Sequence, residues 1–145
     1  MATGHLRRAA AALSLLTATT IAGCSSSGGA GTSAGSCAAG SPSAYLASAK
    51  IVFVGVMLPG PTVSMGQGDV LTSPARIRVV RYLKGDGPRV VTVVTGVTQA
   101  GSGVAVSEDG IQALAGQRWQ IYAMTRNMPY QTSICDGSTP LGAGS

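Results

Sequence analysis

The chain has 145 residues, enough for one domain with appendages and too few for two ordinary domains. Glycine is abundant (21), while aromatic residues make up 4% and charged residues 10%, so any core has to be built from Val, Ile, Leu and Ala. Ten basic residues against five acidic ones give a net charge of +5, short of the dense Lys/Arg clustering that nucleic-acid binding requires.

Residues 1–23 read as a signal peptide. Arg7 and Arg8 supply the positive start, and Ala9 to Ala22 form a run of fourteen uncharged residues. Such a run suits a signal peptide and falls short of the ~20 residues that cross a bilayer. It ends in Ile21-Ala22-Gly23-Cys24, which resembles the lipobox of bacterial lipoproteins. The resemblance implies that the Cys24 thiol takes a diacylglycerol, that the preceding bond is cut, and that Cys24 becomes the N-terminus.

Cleavage there removes Arg7 and Arg8, leaving eight basic residues against five acidic, or +3, and it removes the single histidine, His5. A mature chain without imidazole has no Ser-His-Asp or Cys-His catalysis and no His-ligated zinc. Residues 24–36 then form a lipidated cysteine and a tether. Ser25 to Ser36 contains only Ser, Gly, Ala and Thr, which bury too little apolar area to offset ordering. Its expected reach is on the order of 20 Å.

Two cysteines remain, Cys37 and Cys135. An even count in an exported chain points to a disulfide; a redox pair, usually close in sequence, and two free thiols are the other readings.

Residues 37–141 form the expected domain, with 142–145 as a tail. Ser41-Pro42 followed by SAYLASAK predicts a short helix, with Ser41 as N-cap, Pro42 in the first turn and Lys50 near the negative end of the dipole. The remainder predicts strands: Ile51 to Leu58, Ala75 to Leu83, Arg89 to Thr95, Arg118 to Met124 and Tyr130 to Ile134. In the second strand Ala75, Ile77 and Val79 alternate with Arg76 and Arg78. The adjacent Val79-Val80 breaks the period, predicting a bulge or a strand shared between two surfaces. In the fourth, Trp119, Ile121 and Ala123 share one face. Pro59–Pro74 and Gly96–Gly110 read as long Gly/Pro-rich loops. The expected class is all-β, a small five-stranded OB-like barrel with one short N-terminal helix; periodicity leaves a sandwich open.

VFVG (Val52 to Gly55), YLKG (Tyr82 to Gly85), GQRWQIYA (Gly116 to Ala123) and YQTSIC (Tyr130 to Cys135) follow an opening Cys37 and a short helix. In that order they resemble the netrin-like OB-fold domains related to tissue inhibitors of metalloproteinases, over Cys37 to Leu141. The resemblance implies an OB barrel whose N-terminal cysteine is tied to a strand near its C-terminal end. Two departures stand out. Asp109-Gly110 occupies the place where related domains carry Cys-Gly, so a second staple is missing. The inhibitors also chelate zinc through the free amine of their first cysteine, whereas the Cys37 nitrogen is an amide bonded to Ser36.

The expected function is a membrane-anchored, extracytoplasmic, non-catalytic binding module, protein-binding and distantly inhibitor-like. It is expected to sit on the cell membrane with no cofactor, no metal and no nucleic-acid partner. The alternative is a structural or carrier lipoprotein that contacts anionic lipid or polymer through an Arg-rich strand face. Candidate contacts are Arg76, Arg78 and Arg81, with Lys84 and Arg89 nearby, and Met65, Gln67 and Asp69 in the Pro59–Pro74 loop. Each has a plainer reading: a solvated strand face for the arginines, a surface loop for the others. Glu108 and Asp109 offer two oxygen ligands, too few for a calcium site.

Overall fold

The structure, a computed structural model, describes residues 37, 40–66 and 68–142. The lipobox and tether, Gln67 and residues 143–145 lie outside the described residues. Helix α1 (Pro42–Ser48) begins where its cap predicts: the Ser41 hydroxyl accepts the Ala44 N–H (3.2 Å) and Pro42 occupies the first turn. Its other end is closed by a distant residue. Lys84 Nζ, rather than Lys50, donates to the carbonyls of Leu46 (2.7 Å), Ala47 (3.1 Å) and Ala49 (2.6 Å). A cation on the last carbonyls satisfies acceptors the helix leaves free and opposes its dipole. Lys84→Met is expected to cost about 1–2 kcal/mol, read as a lower denaturation midpoint with an unchanged slope.

Among the described residues nine strands follow: β1 (Ile51–Met57), β2 (Thr62–Met65), β3 (Gly68–Leu71), β4 (Ala75–Lys84), β5 (Val90–Val93), β6 (Val97–Ala100), β7 (Gly103–Val106), β8 (Arg118–Ala123) and β9 (Thr139–Leu141). The main sheet has the order β5-β4-β1-β8-β9, and its pairs are antiparallel. One face carries the core. Phe53 and Met57 of β1 pack with Ile77 of β4, Val91 and Val93 of β5, Trp119 and Ile121 of β8, and Ile111 and Ala113 from the approach to β8. The alternations predicted for β4 and β8 hold. The bulge expected at Val79-Val80 is present, because Val54 pairs with Arg81 and Gly55 with Val79, leaving Val80 unmatched. A second bulge leaves Leu83 unmatched between Tyr82 and Lys84.

Gly55 is required beside the first bulge. A Cβ there would strike the Ile77 side chain and come within 2.9 Å of the Arg78 carbonyl oxygen. Backbone cannot yield as a side-chain tip can, so Gly55→Ala is expected to cost about 2 kcal/mol, measurable by chemical denaturation.

Three expectations are corrected. The sheets are open and do not form a closed barrel: β5 and β9 lie at the two edges, and Val93 meets Tyr130 in a single parallel bridge. Tyr130–Ile134 is not a strand, because its side chains bond locally. Thr132 and Ser138 hydroxyls pair (2.6 Å), and the Ser133 hydroxyl accepts the Cys135 N–H (2.9 Å) to start a 3₁₀ turn over Ile134–Asp136. Short polar side chains of this kind offer the backbone an alternative to a ladder. The last strand is instead β9. Finally, the two long loops each contain a hairpin, β2–β3 and β6–β7.

Candidate functional site

On the face of the main sheet opposite the core, β1 presents Val52, Val54 and Val56. On β4, Lys84, Arg81 and Arg78 pair with them in that order. Simple alternation would send Arg81 to the other side from Arg78 and Lys84, since a strand reverses its side chains at every residue. The unmatched Val80 and Leu83 each shift the phase once. Arg78, Arg81 and Lys84 therefore share one face, with Arg76 beyond Arg78, and Tyr82 turns inward to pack against Phe53 (centroids 5.8 Å apart).

The face continues across all five strands. Val90 pairs with Arg78, Arg78 with Val56, Val56 with Arg118, and Arg118 with Leu141, a transverse row of alternating aliphatic and guanidinium side chains. Helix α1 occupies the other end of this face, where Tyr45 packs against a buried cluster of Ala49, Val52 and Tyr122. Arg76, Arg78 and Arg81 are exposed, and Arg118 is half-buried with its Nε enclosed and without a hydrogen-bond partner. Among the described residues no carboxylate forms an ion pair with these arginines. Guanidinium forks left free suit planar or tetrahedral oxyanions, which they bind bidentately.

Beside the Val80 bulge the surface forms a groove of about 650 Å³ lined by Arg78, Val80, Arg81, Tyr82, Arg89 and Val90. A neighbouring cleft of about 630 Å³ gathers Lys50, Asp86, Arg126 and Tyr130. The Tyr82 hydroxyl donates to the Pro88 carbonyl (2.8 Å). Burial, and then the nearby Tyr130 and Asp86, hold its phenol above the ordinary value of 10.0. The folded chain thus keeps this proton more tightly than the unfolded chain does. The associated stability is full below the ordinary phenol pKa and is lost as pH rises through the raised one. Tyr82→Phe is accordingly expected to lose less stability than the parent between neutral and strongly alkaline pH, compared by urea unfolding.

The other candidate contacts lie apart, on the separate β2–β3 sheet. Met65 pairs with Gly68 and the exposed Asp69 with Ser64, while Gln67 lies outside the described residues. Phe53, Trp119, Tyr122 and Tyr130 are buried, and Tyr45 and Tyr82 half-buried. These rings are packing groups and form no exposed stacking platform.

Cys37 and Cys135 form the disulfide, with Cα atoms 5.0 Å apart across a sequence separation of 98. An Asp109 carboxylate oxygen lies within 4.8 Å of both sulfurs. Disulfide sulfurs are not thiolates, so this trio supplies one anionic ligand and carries no metal chemistry in the oxidised chain. Asp109 also accepts the Ile134 N–H through its backbone oxygen (2.9 Å). Asp109 therefore sits against the Cys37–Cys135 disulfide.

Arg118 was not among the sequence candidates, although a signal existed: it is out of phase with Trp119, Ile121 and Ala123 and so belongs on the outer face. No family model matches the chain, and no curated protein or solved structure is significantly similar to it.

Proposed function

We propose that this chain is a lipid-anchored, extracytoplasmic, non-catalytic binding module that holds polyanionic envelope material against the outer face of its sheet. Supporting the anchor is the Ile21-Ala22-Gly23-Cys24 sequence after a basic, apolar leader. The observation that carries the binding role is the gathering of Arg76, Arg78 and Arg81 with Arg118 on one face, without ion-pair partners among the described residues. Charge of one sign that the fold leaves unpaired raises the local concentration of the opposite sign. The absence of imidazole from the mature sequence supports a non-catalytic role.

The test uses the chain from residue 24 onward carrying Cys24→Ser, so that neither an acyl group nor the basic, apolar leader contributes. It is expected to sediment with anionic vesicles and with envelope fragments at low salt and to be released as salt shortens the screening length from ~30 Å to below ~10 Å. Substituting Arg76, Arg78 and Arg81 by Ser should abolish sedimentation. Salt-independent retention, or equal retention by the triple variant, would remove the arginine face from the function.

A second reading, capture of an envelope or extracellular protein, is favoured by the β2–β3 hairpin. It is pinned at its base by the Leu71 N–H on the Ala113 carbonyl (2.9 Å) and forms a two-stranded sheet of its own. Deleting 60–73 is not a clean test, because it removes buried Val70 and Leu71. Met65→Ser with Asp69→Asn leaves the core intact and is expected to abolish a cross-linked protein partner if the hairpin captures one.

A further inference from the structure

We infer that the groove beside the Val80 bulge docks onto an anionic lipid bilayer, Arg78, Arg81 and Arg89 holding lipid phosphates while Val80 and Val90 enter the layer beneath the headgroups. This rests on the proposed reading of a membrane-tethered module and narrows it from anionic envelope material to the lipid surface.

The groove combines features that a merely solvated strand face has no reason to combine. Val80 is 55% exposed and Val90 40% exposed. Both line the same groove with three arginines and no carboxylate. The bulge is the cause at Val80: the unmatched residue is pushed out of the ladder, clear of the core-facing Val79. A hydrated polymer would match the arginines but leave the valines in water, and the one hydroxyl lining the groove, on Tyr82, is already committed to Pro88. A bilayer surface satisfies both, with phosphates at one depth and hydrocarbon directly below.

The long side chains do not hold the valines away from such a surface. Val54, between Arg81 and Gln120 on the same face, is 1% exposed, in keeping with long side chains that lie over the sheet beside it. Arginine stems laid along apolar surface place their charged heads at the rim, the arrangement such side chains adopt at interfaces. Chain length allows the contact. Thirteen residues after Cys24 bring the chain to Cys37, which is at most about 45 Å when fully extended. Tethering at that range supplies a high effective concentration, so a weak contact suffices.

The test introduces Val80→Trp into the chain from residue 24 onward carrying Cys24→Ser, with buried Trp119 as a constant background. Val90→Trp is a second reporter should the first variant fold poorly. The vesicles contain phosphatidylglycerol and phosphatidylcholine, with bromine on the acyl chains as a quencher. The expected result is a blue-shifted emission quenched by the brominated lipid. Ser at Arg78, Arg81 and Arg89 should weaken vesicle binding about a hundredfold, from the usual contribution of each basic residue at an anionic surface. Sedimentation with vesicles but without quenching overturns insertion and leaves the arginine-face function standing. Binding to inorganic polyphosphate with no vesicle binding does the same. Failure to bind anionic vesicles, polyphosphate or envelope fragments overturns both.

Discussion

Replacing Cys37 and Cys135 together by serine is expected to lower the unfolding free energy by about 4 kcal/mol, the chain-entropy value for a loop of this length being close to ~4.7. The bridge spans a separation of 98, nearly the whole domain, so its loss releases an almost unrestricted denatured chain. The native side loses as well. Cys135 lies in the 3₁₀ turn that leads into β9, and β9 is a three-residue edge strand paired only with β8. Without the bridge that edge is held by its own short ladder and by the Ser138 hydroxyl, which accepts the Tyr122 N–H (3.0 Å). For a domain of this size the change corresponds to a fall in melting temperature of about 15–30 °C. Thermal unfolding of the parent and the double-serine chain, both after thiol counting, measures it. Equal melting temperatures would mean that the bridge does not restrain the chain.

On the proposed anchor, Cys24→Ser placed behind a leader that is cut without lipidation is expected to have the largest effect on location, moving the chain from a salt-resistant membrane fraction to one that salt releases. Two acyl chains at ~0.8 kcal/mol per buried methylene hold a protein stably, and ionic strength does not weaken them. The basic face contributes roughly 1 kcal/mol per arginine near an anionic surface, and salt screens it. The two attachments therefore separate by washing. The parent should stay in the pellet at high salt with an intact mass raised by the lipid. The variant should pellet at low salt and come free at high salt. Parent protein with no added mass and with residues 1–23 retained would exclude the anchor and return His5 to the mature chain.

Much of the architecture could be read along the chain because it depends on local rules. The Ser41-Pro42 start of α1, the alternation of Ala75, Ile77 and Val79 with Arg76 and Arg78, and the Trp119-Ile121-Ala123 face all follow from caps and from a period of two. The doublet Val79-Val80 marked the position as a bulge or a shared strand, and the register makes it a bulge. The single Val93–Tyr130 bridge, the turn in place of a fifth strand and the two hairpins inside apparent loops were not legible. Each turns on where Thr132, Ser133 and Ser138 spend their hydroxyls, or on pairings between short segments that carry weak patterns. The candidate site shows the same division. Arg76 and Arg78 were visible as one face, but Arg81 joins it through the phase shift at Val80, Lys84 stays on it through the compensating shift at Leu83, and Arg118 joins through pairing with Val56 from a strand far away in sequence. Periodicity places a side chain relative to its neighbours along the chain. Which distant strand lies alongside, and in what register, is set by packing of the whole core, and that packing put the arginines side by side.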